Sequence, residues 1–262
     1  MTPLAHIGDL HPADEARVMD VRVEMLNSGW MTAARGIWRQ GEEEPELPIR
    51  VPVPAYLIES ENERILVDTG LSPAAVADSE AHYGPGPIAF FALEQELSVA
   101  DQVDLGSLTR VILTHLHFDH AGGLELVPDS VPVVVQRAEW EGAHDQAAVE
   151  RNFFLPRDYA QAPANLVLVD GDYDLLGDGS VELLSTPGHT PGHQSVRVGD
   201  FVIGADVAHY ASGLDDHRFP AFADDFEAQR RSAERLRELR DAGLTVQPGH
   251  DPDVLRPGPQ VA

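Results

Sequence analysis

Three histidines and an aspartate fall within six residues in the stretch Thr114-His115-Leu116-His117-Phe118-Asp119-His120-Ala121-Gly122-Gly123, directly after the apolar run Arg110-Val111-Ile112-Leu113. Neutral imidazole nitrogens and carboxylate oxygens suit zinc and similar divalent ions as ligands. On a regular strand His115 and His117 share a face, and the turn that follows can carry Asp119 and His120 round to a second ion. The stretch reads as a metal site with room for two ions. A merely solvated histidine-rich loop would have no reason to crowd four ligands into six positions.

Such a site needs a domain that buries its own core. The chain has 262 residues, 43% of them hydrophobic, enough for one large domain or two small ones without disulfides. It contains no cysteine, which fits a reducing compartment without requiring one. Met1 to Leu10 lacks the basic start and apolar core of a leader, and no stretch approaches the ~18 apolar residues of a membrane span, so a soluble cytoplasmic protein is expected. The net charge of -26 repels nucleic acid and anionic membranes, so neither is expected as a partner, and phosphodiester substrates are disfavoured. All 18 basic residues are arginines, and the lack of lysine removes Schiff-base chemistry.

Along the chain, Val18 to Leu26 reads as a strand pair followed by Asn27-Ser28-Gly29-Trp30-Met31. Gln40 to Pro48 reads as an exposed acidic loop whose glutamates have no partners nearby. Val51 to Glu59 and Glu63 to Thr69 form two strands about a Ser60-Glu61-Asn62 turn. Asp68, at the end of the second, is placed to support a neighbouring metal loop. Ser72 to Ala100 is irregular, with helical pieces at Pro73 to Asp78 and Phe91 to Leu97, a Gly84-Pro85-Gly86-Pro87 breaker and a lone His82 that is not counted as a ligand; this insert is expected beside the site. Val131 to Gln136 reads as an edge-entering strand and Arg137 to Ala147 as a helix carrying Trp140 inward. Arg151 to Ala164 reads as a loop whose Phe153-Phe154-Leu155 serves either a pocket or the core.

A second chemical landmark follows the strands Asn165 to Val169 and Val181 to Thr186. The turn Pro187-Gly188-His189-Thr190-Pro191-Gly192-His193 sets His189 at a strand end as a ligand, with His193 as a supporting or packing residue. Gln194 to Val198 and Phe201 to Ala205 lead to Asp206, a strand-terminal carboxylate able to bridge two cations at roughly 3.5 to 4 Å. Asp224 to Asp241 has helical spacing, with Phe226, Ala233, Leu236 and Leu239 on one face. The short strand Leu244 to Gln247 ends in Pro248-Gly249-His250, and His250 closes the ligand set.

His115-Leu116-His117-Phe118-Asp119-His120-Ala121-Gly122-Gly123 resembles the HxHxDH signature of the metallo-β-lactamase superfamily, and its phenylalanine-containing form resembles the N-acyl-homoserine lactonase branch. Pro54 to Ile58, Leu66 to Gly70 and Thr186 to Gln194 add to the likeness. The resemblance covers nearly the whole chain. It implies an α/β fold, the αββα sandwich, as a single domain over 1–262 whose two similar halves meet near residue 160 and share one site. It also implies that His115, His117 and His189 hold one metal, that Asp119, His120 and His250 hold the other, and that Asp206 bridges them. Zinc is the first choice, with iron, cobalt or manganese as alternatives.

The implied reaction is hydrolysis of a carboxylic ester in a lactone, an acyl-homoserine lactone or a relative, by attack of a metal-bridging hydroxide. Asp119 would pass the proton to the departing alkoxide. Members of that branch resemble one another in carrying a tyrosine three residues after the bridging aspartate; here that position is His209, and the tyrosine is Tyr210. Either side chain is a candidate to contact the substrate carbonyl. A glyoxalase-II-like thioesterase or another metallo-hydrolase is the main alternative, although a glyoxalase-II-like enzyme would be expected to offer basic residues to an anionic glutathione moiety; a non-catalytic metal-binding protein is a further one. Trp30, Met31 and Trp38 are candidates for a lid or for the core. A homodimer would be ordinary for such an enzyme.

Overall fold

Two sheets stack face to face, with helices on their outer sides, in the computed structural model, which describes residues 21–86, 88–160 and 165–260. The leader expectation for Met1 to Leu10, the start of the expected strand pair at Val18, Pro87, and the end of the Arg151 to Ala164 tract lie outside the described residues.

The first sheet is built from β1 (Arg22–Ala34), β2 (Pro48–Glu59), β3 (Arg64–Val67), β4 (Ala92–Glu94), β5 (Arg110–Ile112), β6 (Val133–Gln136) and β7 (Leu166–Val169). The second is built from β8 (Tyr173–Asp174), β9 (Val181–Ser185), β10 (Gln194–Val198), β11 (Phe201–Ala205) and β12 (Thr245–Pro248), after which β13 (Gly258–Gln260) returns to the first sheet. The strand orders are β13-β1-β2-β3-β5-β6-β7, with β4 added on β1, and β12-β11-β10-β9-β8. β3, β5, β6 and β7 run parallel. Parallel neighbours need crossover connections, and the short helices between them cover the outer face of the first sheet.

Period-two alternation decides which core each side chain enters. In β2, Tyr56 and Ile58 join Val196, Phe201 and Ile203 between the sheets, while Ala55 and Leu57 join Leu105, Leu124 and Phe154 on the outer side. On the far side of the second sheet, Ala233 and Leu236 of the helix Phe226–Asp241 pack on Leu184 and Val202. The result is the expected αββα layering. Among the described residues no helix is long and apolar enough to cross a membrane.

Several local expectations are corrected. The first strand continues through Asn27 to Ala34, because a register shift between Asn27 and Trp30, with Gly29 at φ 144°, absorbs the break as a bulge. The segment expected as a helix at Phe91 to Leu97 instead supplies β4, whose backbone pairs with Trp30–Thr32 and whose Glu94 meets Arg50 at 3.0 Å. β6 lies between β5 and β7, not at an edge, and its four residues are buried. In the acidic loop Glu42 does have partners, Arg39 at 3.5 Å and Arg218 at 3.2 Å. Helix continues further into the aromatic tract than expected, over Gln146–Asn152. Phe226 is exposed, leaving Gln229, Ser232, Ala233 and Leu236 as the buried face of its helix.

Candidate metal centre

The parallel pairing of β3 with β5 brings Asp68 and Thr114 side by side just past their strand ends. Asp68 accepts hydrogen bonds from Thr114 N at 2.7 Å, from Thr114 Oγ1 at 2.8 Å and from His120 Nδ1 at 2.8 Å. The Thr69 amide donates to His120 O at 2.7 Å, which clamps the histidine-rich turn onto the end of β3. Asp68 and Ala205, the residue before Asp206, both have positive φ, at 61° and 44°. Non-glycine residues tolerate that strain only where surrounding contacts hold them, a common circumstance at functional sites. Gly249 has a specific reason to lack a side chain, since a Cβ there would lie 2.1 Å from Asp206 Oδ1.

All seven expected ligands are buried and converge. His115, His117, His189 and Asp206 form one group of facing donor atoms, and Asp119, His120 and His250 form another. In the first, His117 Nδ1 stands 3.1 Å from both His115 Nε2 and His189 Nε2, and Asp206 Oδ2 stands 3.4 Å from His189 Nε2 and 3.8 Å from His115 Nε2. In the second, Asp119 Oδ2 and Asp206 Oδ1 each stand 3.3 Å from His250 Nε2, and 3.6 and 3.5 Å from His120 Nε2. Asp206 thus turns one oxygen to each group. The edge of a tetrahedron of ligands about 2.1 Å from a zinc ion is about 3.4 Å, which these separations bracket.

Tautomers point the same way. His117 Nε2 donates to Asn152 O at 2.7 Å, His120 Nδ1 to Asp68, and His250 Nδ1 to Pro52 O at 2.8 Å. In His117, which burial keeps neutral, this leaves the Nδ1 lone pair facing inward, and His120 and His250 would present Nε2 lone pairs the same way once an ion displaces their second proton. His120 Nε2, His250 Nε2 and Asp206 Oδ1 are buried with no hydrogen-bond partner, as groups awaiting a cation would be. The residues fit a pair of divalent ions. His193 is a supporting residue: Nδ1 meets Thr186 Oγ1 at 2.9 Å, and Nε2 accepts from the Asp206 amide at 3.1 Å.

The two groups differ electrostatically. Burial, reinforced by neighbouring imidazoles, pushes His115 well below the usual histidine range; burial also lowers His117 and His189. Burial would lower His120 and His250 too, but the carboxylates of Asp206 and Asp119 outweigh it, raising His120 well above its usual value and His250 to about 10. Burial opposes ionisation of Asp119 and Asp206, and the cationic histidines beside them overcome it, lowering both.

The centre opens into a cleft lined by Met31, Trp38, Ile88, Phe90, Phe91, Phe118, Phe153 and Phe222 as well as by Asp119, His209 and several of the candidate ligand histidines. Trp38 anchors it, with its ring 5.3 Å from His250, 5.6 Å from His209 and 5.4 Å from Phe91. The expected insert does lie beside the site, through Ile88, Phe90 and Phe91. The aromatic triplet divides: Phe153 sits at the cleft, and Phe154 and Leu155 enter cores. Trp30 lies under the Arg50 guanidinium at 3.9 Å. His209 faces the centre, with Nε2 3.1 Å from Asp206 Oδ2 and Nδ1 3.1 Å from Trp38 O. Tyr210 is not among the cleft residues; it packs in the core beside Arg39, and burial raises its hydroxyl to about 12. The carbonyls of Asn152, Pro52 and Trp38, which orient His117, His250 and His209, escaped sequence reasoning because a backbone carbonyl carries no residue signature.

Asp68 offers a direct test of this support. Asp68→Asn trades one acceptor oxygen for an amide and disturbs both the Thr114 and His120 contacts. Metal affinity, measured by chelator competition, is expected to fall about 10- to 100-fold with little change in secondary structure.

Residues 48–250 match the metallo-beta-lactamase superfamily. The N-acyl homoserine lactonase of Bacillus cereus is 32% identical over 203 residues, covering 73% of this chain and 77% of that protein. The N-acyl homoserine lactonase AttM of Azorhizobium caulinodans is 28% identical over 251 residues, covering 90% of this chain and 95% of its own. A solved structure of an N-acyl homoserine lactone hydrolase with the product N-hexanoyl-L-homoserine at its catalytic metal centre superposes with a TM-score of 0.76 at 26% identity, over 88% of this chain and 94% of that one.

Proposed function

The chain belongs to the metallo-beta-lactamase superfamily, and from this premise we propose that it is a metal-dependent hydrolase that opens lactone rings, with N-acyl homoserine lactones as the substrate class. The observation that carries the choice of substrate is the cleft: apolar and aromatic along its walls, open to both ligand groups, and without a lysine or arginine in its lining among the described residues. An uncharged lactone with an apolar tail suits it. An anionic glutathione thioester would find no cation there, which disfavours the glyoxalase-II-like alternative.

Divalent ions bound by the seven ligands would activate water at neutral pH and polarise the scissile carbonyl. The chain's own groups divide the remaining work. Asp119 lines the cleft and is held ionised, so its carboxylate can carry a proton to the alkoxide as the ring opens. His209 lines the cleft, held between Trp38 O and Asp206 Oδ2, and is placed to contact the substrate carbonyl. Tyr210, the other candidate, is not in the cleft lining and packs beside Arg39, against the cluster that includes Trp38 and Phe118. The aromatic walls exclude water from the tail, and the leaving group stays tethered, giving a hydroxy acid.

Zinc is the proposed ion because five imidazoles and two carboxylates in tetrahedral-sized groups are its usual ligands. The chain is taken to work as one domain, since each group draws residues from both halves. A cytoplasmic location accords with the lack of cysteine.

Metal analysis together with pH-monitored ring opening tests the proposal. Close to two ions per chain, and turnover of acyl-homoserine lactones far above that of a thioester or a phosphodiester, are expected. Good thioester turnover without lactone turnover would overturn the substrate assignment.

A further inference from the structure

Glu139 is fully buried, and among the described residues no arginine pairs with it. It sits on the helix Arg137–Gly142, outside the ligand set. Its Oε1 accepts from the Leu116 amide at 2.9 Å, and its Oε2 accepts from the Gly192 amide at 2.9 Å. Leu116 stands between the ligands His115 and His117, and Gly192 lies in the turn that presents His189. One carboxylate therefore holds two loops from different sheets, and those loops contribute three of the four residues of the first ligand group.

The packing around it is close. A Cβ at Gly192 would fall 2.1 Å from Glu139 N, and one at Gly142 would fall 2.9 Å from Pro191 Cγ, so helix and turn meet with no room for side chains. Burial pushes the Glu139 carboxyl up to about 7. A carboxylate in such surroundings is costly, and an apolar residue of similar size would fill the space with no desolvation penalty. Its two amide partners are what an apolar side chain could not supply.

We propose that Glu139 is a positioning residue for the first ligand group, fixing the distance between the His115–His117 segment and the His189 turn so that three imidazoles meet on one ion. Among the described residues it forms no hydrogen bond or ion pair with the second group of Asp119, His120 and His250, so its loss acts on one ion and spares the other. The inference rests on the two-ion reading of the centre.

Glu139→Gln tests it, because the near-isosteric amide can accept from only one of the two backbone amides. After dialysis against graded chelator, the wild type is expected to retain two ions, while the variant retains one firmly and binds the other about 10- to 100-fold more weakly. Cobalt substitution gives a second readout: the absorption of one of the two ions changes and that of the other does not. Glu139→Asp, which keeps the charge but is shorter by one methylene, should fall between wild type and Gln. Wild-type affinity for both ions in both variants, with only a lower Tm, would overturn the positioning role and leave a packing role. Equal weakening of both ions would overturn it as well. If the wild type itself holds fewer than two ions, the two-ion reading fails instead. Amide exchange in the unmodified protein does not depend on a variant folding: the Leu116 and Gly192 amides should exchange slowly, and rapid exchange at either would overturn the proposal.

Discussion

Asp206→Asn should leave a folded protein that holds fewer than two ions and opens lactones at least about 10³-fold more slowly, a loss of several kcal/mol of transition-state stabilisation. Asp206 is the one side chain that turns an oxygen to each ligand group. It is also the charge that most raises His120 and His250. Asparagine keeps the size, removes the charge, and can present an oxygen to only one group. Elemental analysis of the dialysed variant beside kcat and KM is the check. Retention of two ions with near-normal kcat would refute the bridging assignment.

Loading the two groups with metal should release different numbers of protons. Without metal, His115, His117 and His189 are held neutral by burial, so an ion entering their group displaces few protons near neutral pH. His120 and His250 are held protonated by Asp206 and Asp119, and an ion entering their group must displace those protons. The sign follows for stability too. A raised histidine stabilises the metal-free fold fully below its unfolded value near 6.5, and that contribution fades as pH climbs towards about 10 for His250. The lowered histidines work in the opposite sense: their neutral burial is free of penalty above 6.5 and costs stability as pH falls below it. Affinity for the second equivalent should therefore rise by about tenfold per pH unit for each proton displaced between pH 6.5 and 9, with a much flatter profile for the first. Calorimetric titration in buffers of different ionisation enthalpy measures the proton count of each step. Equal proton release for both equivalents would sink the assignment.

The candidate ligands could be picked out in the sequence because each sits where an apolar run meets a glycine- or proline-rich turn, and both signals are local. Asp68, Asp206 and His250 follow short runs that do form β3, β11 and β12. What stayed hidden depends on distant partners. Phe91 to Leu97 has no periodicity that separates helix from strand over so few residues, and only pairing with Trp30–Thr32 makes it β4. Glu42 meets Arg218 across most of the sequence. Glu139 looks like one acidic residue among several on a short helix, and its role appears only when Leu116 and Gly192 arrive together. The adjacent pair His209 and Tyr210 could be singled out in the sequence, but which one faces the cleft depends on how the chain turns after Asp206.

Each ligand group straddles the two sheets: the first joins residues that follow β5 to residues that follow β9 and β11, and the second joins residues that follow β5 to His250 after β12. An ion in either group is thus a clasp between layers, closing a chain loop that spans up to half the protein. Loop-closure entropy grows only logarithmically with the length enclosed, so the longer span from Asp119 to His250 costs little more to close than the shorter one from His115 to Asp206. With ions in both groups, loss of either would leave the other tying the same two layers together.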